Sequence, residues 1–103
     1  MSRLVKLKEF LQQNPQDSFV KHALALEYIK LGDDDTARSY FEEILEADPS
    51  YVGSYYHLAR LFERNGDTDV AIQWYEKGMD AAKKAGDNHA YNELRSAWEE
   101  LAF

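Results

Sequence analysis

The chain has no cysteine, which excludes a disulfide framework, a thiolate metal site and a cysteine nucleophile. No apolar run approaches the roughly 18 to 20 residues needed to cross a bilayer. The opening stretch Met1-Ser2-Arg3-Leu4-Val5-Lys6-Leu7-Lys8 breaks its apolar residues with charge and has no signal-peptide core. A cytoplasmic setting is therefore expected. Basic side chains are scarce, 12 against 19 acidic ones, and the formal charge of −7 repels phosphate backbones and anionic membranes. Neither nucleic acid nor a membrane is expected as a partner; the acidity serves solubility or draws a basic protein.

Catalytic and cofactor motifs are also missing. The chain has no G-x-x-x-x-G-K-S/T phosphate loop and no G-x-G-x-x-G turn. No nucleophile has a recognisable base beside it, and the serines are expected at caps or exposed helix positions. Asp33-Asp34-Asp35 lacks the alternating ligands and late glutamate of a calcium loop and reads as a helix cap, as does Asp67-Thr68-Asp69. No enzyme activity, cofactor or metal is expected. At 103 residues the chain has the length of one small domain.

What the sequence does contain is an echo. A shift of 34 carries Leu24 to Leu58, Ala25 to Ala59, Tyr28 to Phe62, Gly32 to Gly66, Asp33 to Asp67, Ala37 to Ala71, Tyr40 to Trp74, Phe41 to Tyr75 and Leu45 to Met79. A period in this range marks stacked helical units that bury their apolar faces against neighbours. Helical periodicity and stop signals predict six antiparallel helices. The first covers about 2–13, with Leu4, Leu7, Phe10 and Leu11 on one face and Asn14-Pro15 ending it. The next runs from Ser18 to Leu31, capped by Asp17 or Ser18 and closed by Gly32. Its return helix ends at Ala47, before Asp48-Pro49. Val52 to Arg64 repeats the first member of the pair. The helix after it lacks a stopping proline and runs on to Ala85 before Gly86. The pattern then slips by two residues, Tyr55, Leu58 and Phe62 reappearing as Tyr91, Leu94 and Trp98, and a last helix covers about Asn88 to Leu101. The alanines are expected where paired helices approach closely, and Tyr28, Phe62, Phe41 and Tyr75 in the wider spaces.

The order L-A-x-x-Y/F-x-x-x-G-D-x-x-x-A-x-x-x-F/Y resembles the tetratricopeptide repeat, a helix-turn-helix unit of this length. The resemblance implies an all-α superhelix built as one domain over 1–103: a half-repeat helix at 2–15, full repeats at 18–51 and 52–85, and a capping helix at 88–102. It also implies a non-enzymatic protein-interaction scaffold that takes a peptide or short helix in a concave groove. The groove residues it points to are Phe19, His22, Leu26, Ile29 and Lys30, then Tyr56, His57, Arg60, Glu63 and Arg64. Their mixture of apolar side chains and local basic charge favours an apolar segment with a nearby carboxylate. A self-pairing role through exposed array edges, giving a homodimer, is the alternative. His22, His57 and His89 recur in successive first helices. In family members that clamp a terminal carboxylate, the clamp places correspond here to His22, Leu26, His57, His89 and Glu93, and Leu26 and Glu93 break that pattern. Three histidines on successive units stand too far apart to converge on one metal ion.

Overall fold

A computed structural model describes residues 2–103. Six helices run in order: α1 (Arg3–Gln13), α2 (Ser18–Lys30), α3 (Asp34–Ala47), α4 (Gly53–Arg64), α5 (Thr68–Ala85) and α6 (Asn88–Ala102), with no strand among the described residues. They form two compact units, Met1–Asp48 and Pro49–Phe103. In the first, α2 packs on α1 and α3; in the second, α5 packs on α4 and α6.

The starts of α1, α2, α3 and α6 follow from side-chain capping of otherwise unpaired N–H groups. The Ser2 hydroxyl accepts from the Val5 N–H at 3.2 Å and Asp17 from the Val20 N–H at 3.1 Å. Asp33 accepts from the Thr36 N–H at 3.2 Å and Asp87 from the Ala90 N–H at 3.0 Å. Asp67 does not cap α5 through its side chain, contrary to expectation. Its carboxylate instead accepts from the Asn65 side-chain amide at 2.9 Å, a donor that Leu31 cannot supply one repeat earlier.

The ends of α2, α4 and α5 share one device. After α2 and α4, Gly32 and Gly66 turn the chain at φ 80° and 87°, where a side chain is disfavoured. The following aspartate N–H then reaches back to a helix carbonyl: Asp33 to Tyr28 and Asp67 to Phe62, both at 2.9 Å. The same bond closes α5, Asp87 to Ala82 at 2.9 Å, so the turn chemistry survives the two-residue slip.

Leu24, Ala25, Ala37 and Phe41 are fully buried in the first unit, as are Leu58, Ala59, Ala71 and Tyr75 in the second. The alanines thus occupy closed positions, while Tyr28 and Phe62 are half-buried. Tyr28 stacks on Tyr40 with ring centroids 6.0 Å apart. Phe10 departs from the expected face: it is 55% exposed, whereas Leu4, Leu7 and Leu11 are half-buried. At 3.6 residues per turn it lies about 100° around the axis from Leu11, at the edge of the apolar stripe. Ser54 also departs, being fully buried inside α4 rather than at a cap or on the surface.

Gly78 is a position of close helix contact in the second unit. A Cβ there would lie 2.7 Å from Tyr55 Cβ and 3.1 Å from both Leu94 methyl carbons. The 34-residue shift places it against Ile44, so the echo conceals a position where α5 meets α4 and α6 closely.

Candidate functional site

The sequence-predicted site residues fall on two helices, one in each unit. On α2, Phe19 is 70% exposed, and Leu26 and Ile29 are half-buried. His22 is half-buried with its ring edge-on to Phe41, centroids 5.5 Å apart. The Lys30 ammonium lies 3.4 Å from Glu27, whose other neighbour is the Arg3 guanidinium at 3.0 Å. Lys30 is thus partly neutralised within its own helix.

Lys21 was not among the expected site residues, yet it is a lysine only 7% exposed, 3.7 Å from Glu43. A buried ammonium needs a partner, and the α3 carboxylate serves. A shift of 34 converts Lys21 to Tyr55, which is no signal of a paired charge.

On α4, Tyr56 forms the aromatic centre. Its ring meets His57 at 5.7 Å and Tyr75 at 6.1 Å, both edge-on, and the Arg60 guanidinium lies 6.0 Å from its centroid. A guanidinium over a tyrosine face is held by the ring quadrupole. Glu63 accepts the Tyr75 hydroxyl hydrogen bond at 2.9 Å. Burial and that carboxylate push the Tyr75 phenol far above the usual range, so it stays a donor at every physiological pH. Arg64 is exposed at the end of the helix. Arg60 is therefore a half-buried cation on an aromatic floor, with the nearby glutamate engaged by a phenol.

His57 is half-buried, and desolvation lowers its pKa below the ordinary histidine value; Arg60 adds to the drop and Glu93 on α6 opposes it. His89 is different, with a side chain 92% exposed and 3.7 Å from Glu93. Among the described residues no three His, Cys, Asp or Glu side chains are placed to hold a metal ion.

The His57 shift makes stability depend on pH. A histidine whose folded pKa lies below its unfolded value of about 6.5 binds fewer protons when folded, so its contribution is complete above that value. It is lost as pH falls through the window down to the depressed folded value. Urea midpoints measured between pH 7.5 and 5 should fall with acidity, and His57→Gln should flatten that slope. An unchanged slope in the variant would assign the dependence to other groups.

Paired helices with small residues at the crossings and Gly-Asp turns define an all-α superhelical repeat scaffold. The chain belongs to the tetratricopeptide repeat family, which it matches over residues 22–87. A tetratricopeptide repeat domain protein from Salinibacter ruber, solved in solution, is 41% identical with a TM-score of 0.81, covering 84% of this chain and 88% of its own. A Bordetella parapertussis protein is 25% identical with a TM-score of 0.84, covering 99% of this chain and 89% of its own. The mouse aspartyl/asparaginyl beta-hydroxylase is 25% identical over 85 residues, 82% of this chain. This chain spans only 12% of that enzyme's length. Tetratricopeptide repeat domains bind other proteins or peptides, and no helix among the described residues is long and apolar enough to cross a membrane.

Proposed function

We propose that this chain is a non-enzymatic interaction scaffold whose α4 face receives a peptide or short helix from another protein. The observation that carries the reading is Arg60, half-buried against Tyr56 at 6.0 Å while Glu63 is engaged by Tyr75. A cation held on an aromatic floor is prepaid in side-chain entropy, so a ligand carboxylate meets it at reduced cost. With His57 mostly neutral at pH 7, Arg60 and Arg64 are the cations of the face, and Tyr56 gives an apolar neighbour its contact. The ligand that fits is an apolar segment with a carboxylate. On its own unit, the α2 face of Phe19, His22, Leu26 and Ile29 offers a further apolar contact for such a segment, with Lys30 at its end.

We assign the chain one domain, with repeats at 18–51 and 52–85, a half-repeat helix before them and a closing helix at 88–102, acting in the cytoplasm. The test is Tyr56→Ala combined with Arg60→Ala, both half-buried positions rather than fully buried ones. Affinity capture from native lysate should lose partners with this variant while its helicity stays intact; an unchanged set of captured proteins sinks the reading.

Self-pairing is the second reading, favoured by α1, which buries no residue completely and leaves Val5 at 43% and Phe10 at 55% exposure. Capture with differently tagged copies of the chain distinguishes it, because only self-pairing retains the second tag.

A further inference from the structure

The second unit also carries a cleft of about 410 Å³, lined chiefly by Pro49, Tyr55, Lys77, Asp80, Ala81 and Lys84. That volume suits a binding site for a few side chains, and none of the α4 candidate residues lines it. The wall is fixed: the buried Tyr55 donates its hydroxyl to the Pro49 carbonyl at 2.6 Å, tying the segment before α4 to the helix. The Tyr55 and Trp74 rings lie 6.1 Å apart, and the Lys77 ammonium sits 4.5 Å from the Trp74 centroid.

Lys77, Asp80 and Lys84 fall at i, i+3 and i+7, so they share one stripe of α5 with the sign order plus, minus, plus. Two ordinary explanations cover part of this. A lysine in the last turn complements the helix dipole, which accounts for Lys84 and its neighbour Lys83 but not for Lys77, two turns earlier. Pairing within the helix would draw Lys77 toward Asp80, yet its ammonium is held on Trp74 instead. What remains is a locally basic stripe along an apolar hollow, in a chain whose net charge is −7.

We propose that this cleft is a second binding site, for an extended acidic segment of a partner protein with an apolar side chain between two carboxylates. Seven helical residues rise about 10 Å, the span that an extended chain covers in about three residues. Side chains of an extended chain alternate faces, so the carboxylates belong four positions apart with the apolar side chain midway, all three facing the cleft, and the long lysine and glutamate side chains take up the extra residue. The apolar side chain between them rests on Tyr55, Pro49 and Ala81, and Asp80 accepts a backbone N–H of the segment. Acidity elsewhere on the chain repels such a segment and confines it to this stripe. The site is independent of the α4 face.

The test uses the whole chain, isotopically labelled, titrated at low salt with the blocked peptide Glu-Ala-Leu-Ala-Glu and with Gln-Ala-Leu-Ala-Gln. The first should give saturable amide shifts at Lys77, Ala81 and Lys84, weakened by added salt. Lys77→Glu with Lys84→Glu should weaken it about tenfold or more with melting unchanged; if that variant misfolds, Lys77→Gln with Lys84→Gln serves. Equal binding of the glutamine peptide, shifts centred on Tyr56 and Arg60, no saturable shift, or unchanged affinity in the lysine variants would each overturn the proposal. Loss of binding in the Tyr56/Arg60 variant alone would likewise move the peptide to the other face.

Discussion

Gly78→Ala is expected to lower stability by up to about 2 kcal/mol, even though alanine is the better helix former. Overpacking a closed contact costs about 1–3 kcal/mol, against a gain of about 1 kcal/mol for replacing glycine inside a helix. The cost wins because the obstacle is Tyr55 Cβ at 2.7 Å, an atom that no side-chain rotation can move aside. The two Leu94 methyls at 3.1 Å close the other side. Thermal unfolding should shift down by up to roughly 8–16 °C for a domain of this size. A rise in the melting temperature would mean that α4 and α6 separate from α5 at little cost.

Tyr75→Ala should cost more, about 3–5 kcal/mol, as for other fully buried aromatics cut to alanine. Tyr75 is 0% exposed and its ring meets Tyr56, so the truncation leaves a cavity beneath the candidate α4 face. Tyr75→Phe separates packing from polarity. It keeps the ring and deletes the donor to Glu63, at a cost of about 1–3 kcal/mol for a part-buried acceptor left without its partner. Urea unfolding of the two variants checks the order. Were Tyr75→Phe neutral, the hydrogen bond would contribute nothing and Glu63 would be restrained by other means.

The repeat register was open to reading because it records packing. Ala25, Ala37, Ala59 and Ala71 recur at 34 residues, and all four are completely buried. Gly32 and Gly66 announced turns that the backbone makes with positive φ. Positions that break the register were harder to read. Gly78 against Ile44 carries no sign in the sequence that two helices converge on it. Nothing in the sequence marks Lys21 as buried, because its carboxylate partner is 22 residues away on α3. The candidate residues themselves were visible on α2 and α4, but their states were not. That Glu63 is occupied by Tyr75 depends on side-chain placement across helices, and that Arg60 rests over Tyr56, one turn earlier on α4, depends on its rotamer. The α5 cleft left no trace in the motif search, because its parts come from a proline before α4 and three charges spread along α5.

Function on the α4 face is most directly measured by parallel affinity capture with the parent chain, the Tyr56→Ala/Arg60→Ala variant and the Lys77→Glu/Lys84→Glu variant, at matched helicity by circular dichroism. The expected result is a set of partners retained by the parent and by the lysine variant but lost from the Tyr56/Arg60 variant. Partners bound equally by the Tyr56/Arg60 variant and the parent would contradict the assignment of binding to Arg60 and its aromatic floor.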